Sequence, residues 1–332
     1  MTRCGSRIPR RDFLRTGAAG ALALPLLGPD GIRRALSPPM SRVALVRTSD
    51  RTRGVTEVLK LMDLSRAAGK QVVLKPNFNS ADATPGSTHN DTLSQMVVEL
   101  QEADARKVTL GESSGPPRTR SVMERKGTFD LAHDLGFEVV NFEELAENEW
   151  VHFKPPGTHW PEGFHIPRLV ADSEYYAKTC CLKTHQYGGV FTMSLKLSVG
   201  ITPKNIRGGM HRSPDMRRMI AELNRPRPAD LILLDGIEAF TDGGPSHGTL
   251  KRGDVMIAGD DPIAVDAVGL AVLKDLGSNE AIMGRDIFEQ EQIARAVEMG
   301  LGVSGPGGIE IVTGDAESAA YARRLEGILA RG

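Results

Sequence analysis

The chain has 332 residues, with 41 Lys and Arg against 42 Asp and Glu and a net charge of −1 at pH 7. No basic stripe interleaved with aromatics marks it for nucleic acid. Gly is frequent (36 residues), aromatics are scarce (5%) and only three cysteines occur, which suits an α/β enzyme and excludes both a disulfide framework and a four-cysteine iron–sulfur set within this chain.

The first thirty residues carry an address. Arg10-Arg11-Asp12-Phe13-Leu14-Arg15 precedes a weakly apolar run, Thr16 to Leu27. A twin arginine followed by such a run is read by the twin-arginine translocation machinery. The run is shorter than the about 20 apolar residues of a spanning helix, and Pro25 and Gly28-Pro29-Asp30 interrupt it. Ala35-Leu36-Ser37 has a small-x-small cleavage pattern, but Pro38 follows it and hinders cutting. The expectation is an exported, periplasmic or extracytoplasmic protein, with membrane attachment only through an uncleaved leader. Residues 1–40 are read as leader and linker. Residues 41–332 are read as a single α/β domain, or two intimate halves at about 41–170 and 171–332.

Val43–Val46 reads as the first strand, and Val55–Ala68 as a helix closed by Gly69. Gln71–Leu74 is a buried strand, Thr92–Ala103 a helix capped by Asn90 or Asp91, and Lys107–Leu110 a strand. Ser121–Leu135 reads as one helix ending at Gly136, before a strand at Glu138–Phe142. This alternation predicts a mainly parallel sheet with crossover helices. Trp150–Pro167 is irregular, a small antiparallel excursion or a lid. Tyr175–Leu182 returns to strand character, Val190–Val199 reads as a short buried helix, and Ile201–Pro214 as a polar loop. Strands at Leu231–Leu234, Val255–Ala258 and Ile309–Val312 follow, with helices at Ile263–Leu273, Ile293–Met299 and Ala316–Leu329. Gly305-Pro306-Gly307-Gly308 precedes a strand, so it is a turn and not a dinucleotide fingerprint.

Polar groups follow many of these strands: Lys75-Pro76-Asn77, then Glu112-Ser113-Ser114-Gly115, Lys183-Thr184-His185, Asp235-Gly236 and Asp260-Asp261-Pro262, with Asp266 one turn into the next helix. Parallel α/β sheets bind ligands beyond the carboxyl ends of their strands. Alone, each has a plainer reading: a turn for Glu112–Gly115 and Asp235-Gly236, a helix N-cap for Asp261. Lys196 sits in the apolar stretch Met193–Leu197; an inward lysine needs an anionic partner or a lowered pKa, and snorkelling is the alternative. His185 and His211 are structural histidines or proton carriers. Cys180-Cys181 reads as a pair of small apolar residues in a buried strand.

The ordered set Lys75-Pro76-Asn77, Thr88-His89, Gly111-Glu112-Ser113-Ser114-Gly115, Lys183-Thr184-His185, Ser194-Leu195-Lys196, Asp235-Gly236, Gly243-Gly244-Pro245 and Asp261-Pro262 with Ala264-Val265-Asp266 resembles the family called domain of unknown function 362. The resemblance implies an α/β domain with this polar edge and supplies no reaction. Some relatives carry ferredoxin-type cysteine motifs, absent here, and many have Asn where Leu197 stands.

Two functions are expected. The first is an enzyme acting on a small anionic ligand, carboxylate or phosphate. His185, Lys183 and Lys196 would be catalytic. Lys75, Asn77, Ser113, Ser114 and His211 would bind substrate, and Asp235, Asp261, Asp266 and Glu112 would hold a divalent metal or act as acid and base. The alternative is an extracytoplasmic ligand-binding or redox-accessory protein using the same pocket without turnover.

Overall fold

The computed structural model describes residues 40–332, and the expected twin-arginine leader lies outside them. Twelve strands are described: β1 (Ser41–Arg47), β2 (Gln71–Lys75), β3 (Lys107–Glu112), β4 (Glu138–Asn141), β5 (Trp150–Phe153), β6 (Phe164–Pro167), β7 (Tyr175–His185), β8 (Val190–Thr192), β9 (Leu231–Gly243), β10 (Gly248–Arg252), β11 (Val255–Gly259) and β12 (Ile309–Val312). Ten form one sheet in the order β12-β1-β11-β9-β7-β2-β3-β4, with β8 paired to β7 and β10 to β9. The run β9-β7-β2-β3-β4 is parallel throughout. β1 lies between β11 and β12, so residues 41–170 and 171–332 interleave in one sheet.

Side chains alternate between the two faces of each strand, and a core forms on each. Tyr175 and Ala177 of β7 join Leu74, Leu110, Leu93, Met96 and Val97 on one side. Tyr176, Cys180 and Leu182 join the helix Pro262–Leu276 on the other. That helix is apolar nearly all round and buried from Pro262 to Leu273, as expected of a helix inside a large core. The paired cysteines are buried and free. Among the described residues no helix is long and apolar enough to cross a membrane.

Four local expectations are corrected. β11 runs antiparallel to both neighbours, β9 and β1, so its carboxyl end lies at the opposite rim from those of β2, β3, β7 and β9. The expected helix Ser121–Leu135 is two helices, Thr119–Arg125 and Thr128–Leu135, because Gly127 takes φ 64° between them. Val190–Val199 divides into β8 and a single turn, Ser194–Leu197. The expected loop Ile201–Pro214 contains the helix Lys204–Arg212. Gly208 and Gly209 cost that helix about 1 kcal/mol each, but Arg207 and Met210 are buried on its inner side, and packing outweighs propensity. The excursion at Trp150–Pro167 is the two-stranded antiparallel pair β5-β6.

Candidate functional site

At the carboxyl ends of β2, β3 and β7 a cavity of about 270 Å³ opens beneath the Ser194–Leu197 turn and the Lys204–Arg212 helix. Lys75, Asn77, Glu112, Ser113, Lys183, His185, Lys196 and His211 all line it. Phe78, Leu197, Val199 and Pro245 supply apolar wall.

The basic residues fall into two groups. Lys75 is neutralised: its Nζ lies 2.6 Å from Glu112 Oε1, with both side chains 1% exposed. It also donates to the Pro76 carbonyl. Glu112 is held in turn by the backbone N–H groups of Phe78 and Ser113, at 2.8 and 2.7 Å. Lys204 pairs with Glu143. Arg207 spends its guanidinium on the carbonyls of Ser113, Ser114 and Thr202 and on Ser113 Oγ, which clamps the loop after β3 to the Lys204–Arg212 helix. Burial brings its pKa down to about 10.

Lys183 and Lys196 have no carboxylate partner among the described residues. Lys183 donates to the carbonyls of Pro85 and Gly86, at 2.8 and 2.6 Å. Lys196 has no hydrogen bond or ion pair there at all, although it is only 8% exposed. Burial pushes its pKa down to about 7, and the charges of Lys183 and Arg207 push the same way. His185 is driven down to about 2 by burial and then by Lys196, so its ring is neutral. Its Nδ1 accepts from the Gly189 N–H at 3.3 Å, which leaves Nε2 to carry the proton. His211 stacks on it, with ring centroids 6.4 Å apart and planes 9° from parallel; burial, then Lys196, lowers its pKa. The Lys196 and His185 side chains meet over Gly189, where a Cβ would lie 2.6 Å from Lys196 Cε and 2.9 Å from His185 Nδ1. A larger residue there would push the Lys196 or His185 side chain aside.

Two residues that line the cavity each have a buried polar atom without a partner among the described residues. Asn77 Oδ1 and Thr192 Oγ1 are buried without a hydrogen bond, and both residues line the cavity. An unpaired buried polar group costs about 1–3 kcal/mol, and neither atom's hydrogen bond is supplied among the described residues.

The expected metal set does not assemble. Glu112 is engaged with Lys75. Asp235 is bound by Arg51 Nε at 2.9 Å and Thr92 Oγ1 at 2.7 Å, away from the cavity. Asp261 caps the Pro262–Leu276 helix, accepting from Ile263 and Ala264, and also takes the Val303 N–H. It belongs to the opposite rim because β11 is reversed. Asp266 accepts from the Ser194 and Leu195 N–H groups at 2.7 and 3.0 Å, holding the turn that carries Lys196. Burial raises its carboxyl to about 6 against those hydrogen bonds. No group of three or more His, Cys, Asp or Glu suited to a metal is found among the described residues. Ser114 is buried beside the site without lining it, its N–H donating to Thr119 Oγ1.

Sequence reading missed Arg207 and Thr192 as site residues, and Lys178 as a support. Lys178 is buried in β7 and donates to Ser198 Oγ and Asn224 Oδ1, both at 2.8 Å. Burial lowers it to about 7. The signal was the one that singled out Lys196: a lysine inside an apolar run.

A family model described as Domain of unknown function (DUF362) matches residues 72–271. The chain is 26% identical over 218 residues to a thylakoid-associated protein of Synechocystis sp.. That match covers 62% of this chain and 64% of the relative, so the chain spans less than two thirds of the relative's length. A solved structure, the lactate racemase apoprotein from Thermoanaerobacterium thermosaccharolyticum, is similar at a TM-score of 0.47 and 12% identity over 86% of each chain.

Proposed function

We propose that this chain, which belongs to the DUF362 family, takes a small carboxylate or phosphate into the cavity at the ends of β2, β3 and β7 and exchanges a proton with it through Lys196. The carrying observation is the Lys196 amine: buried, lining the cavity and without a partner among the described residues. Burying a lone cation is costly unless it is paired or neutralised. An incoming anion supplies the missing charge and draws a proton onto Lys196. His211 borders the cavity as a neutral imidazole able to pass that proton on, while His185, its Nδ1 taken by the Gly189 N–H, presents Nε2–H. Glu112, among the described residues the one carboxylate lining the cavity, is already paired, which leaves the remaining cationic field to the ligand. The same fact supports a second reading, ligand binding without turnover, because no free carboxylate among the described residues lines the cavity.

Calorimetry against acetate and inorganic phosphate, in buffers of different ionisation enthalpy, tests this. Saturable binding with proton uptake above pH 7, abolished in Lys196→Met, is the expected result. Absence of binding, or equal binding by the variant, rejects it.

For location, the Arg10-Arg11 motif supports export by the twin-arginine route. The relative's description as thylakoid-associated supports a place at a membrane. Cell fractionation of an Arg10→Lys, Arg11→Lys double variant tests it: retention in the cytoplasm is expected, and unchanged export overturns it.

A further inference from the structure

We infer that the ligand carries a carbonyl group beside its anionic one, as in a 2-oxo acid, and that Lys196 adds to that carbonyl to form an imine. This deepens the anion reading and rests on it.

The argument begins with the contrast between the lysines of one cavity. Lys75 is held charged by a carboxylate 2.6 Å away. Lys183 is capped by two carbonyl oxygens. Lys196 instead meets cations, Lys183 and Arg207, and no acid. Beside it stand the two histidines and the paired Lys75–Glu112; Lys204 pairs with Glu143. These surroundings favour the neutral amine, which is the nucleophile, over the ammonium, which is not; an anion seated directly on Lys196 draws a proton onto it, whereas a 2-oxo acid whose carboxylate lies on Lys183, lining the same cavity, leaves Lys196 its lone pair. Leu197 and Val199 supply apolar wall to the same cavity.

The remaining groups suit the other end of the reaction. A carbonyl carbon attacked by the amine places its oxygen among polar hydrogens. His185 has Nδ1 occupied by the Gly189 N–H, so its neutral ring offers Nε2–H as a donor. The unpartnered Thr192 hydroxyl can donate a further hydrogen bond to the oxygen or to the carboxylate, and Lys183, which lines the same cavity, has a third N–H for the carboxylate. Gly189 keeps Lys196 and His185 adjacent. The step balances without a redox partner. The amine nitrogen bonds to the carbonyl carbon, both amine protons pass to the carbonyl oxygen, and that oxygen leaves as water while C=N replaces C=O. Hydrolysis reverses it.

Reductive trapping on the full chain decides the matter. The protein is incubated with pyruvate and sodium cyanoborohydride near pH 7 and mapped by peptide mass spectrometry. Calorimetry with propionate, which has the carboxylate but no carbonyl, runs in parallel. The expected result is one saturable reduced adduct on Lys196, formed at least tenfold faster than on any surface lysine and competed by propionate. Lys196→Arg, which keeps the charge, should lose the adduct and remain folded by circular dichroism. Propionate binding with no adduct, or adducts spread evenly over surface lysines, overturns the imine and leaves the anion reading standing. Absence of both binding and adduct overturns the two together.

Discussion

At the scale of single residues the cavity holds two kinds of buried charge, and they respond oppositely to mutation. Lys75 and Glu112 neutralise each other out of water, so removing one strands the other. Glu112→Leu is expected to cost about 3–5 kcal/mol in urea unfolding, and adding Lys75→Met should recover most of it. Lys196 has nothing to lose. In the unfolded chain it keeps its proton up to about pH 10.5, but in the folded protein only to about 7. Between those values the unfolded chain binds the extra proton, so this residue makes stability rise with pH. Lys196→Met is therefore expected to be more stable than the parent at pH 6, with the advantage shrinking as pH is raised to 9, by denaturant titration at each pH. A constant difference would mean that the amine is not desolvated. Lys178 titrates in the same direction but is present in both proteins and cancels. That Lys196 faces inward is legible in sequence, because a lysine flanked by Leu195 and Leu197 in an apolar run has few ways to reach water. That Lys75 is paired with Glu112 is not legible there: 37 positions separate them, and only the pairing of β2 with β3 brings them together.

At the scale of elements, the short turn Ser194–Leu197 would be marginal alone, since a helical nucleus is costly and so few residues cannot repay it. Asp266 supplies what it lacks by accepting its first two N–H groups from the neighbouring long helix. Asp266→Ala is expected to cost about 2 kcal/mol or more, through buried donors left unpaired. It should also weaken phosphate binding, although Asp266 does not face the cavity. Calorimetry and urea unfolding on the same variant check both effects, and intact affinity would show that the turn holds Lys196 without this cap. The Lys204–Arg212 helix makes the same point. Its glycines and charges read as a loop, and its helical state depends on Arg207 reaching carbonyls on the far side of the cavity. Sequence patterns register local preference, whereas both elements are made by contacts from elsewhere in the chain.

At the scale of the whole molecule, the direction of one strand decides what the site contains. β11 runs against its neighbours, so the Asp261 that follows it caps a helix at the far rim. Asp261→Ala should therefore cost about 1–2 kcal/mol as a lost cap while leaving phosphate affinity unchanged by calorimetry. Reduced affinity would place Asp261 in the site after all. The sequence by itself determined the α/β class, the parallel run of strands, and the position of Lys75, Glu112, Lys183 and His185 at strand ends. Those follow from hydrophobic period and from the rule that strand ends in a parallel sheet share an edge. Tertiary structure alone decided which of the polar groups meet. A strand's period is the same in either direction, so sequence reveals that a carboxylate follows a strand but not which rim it reaches, and the pairing of each buried charge is settled only when the sheet is assembled.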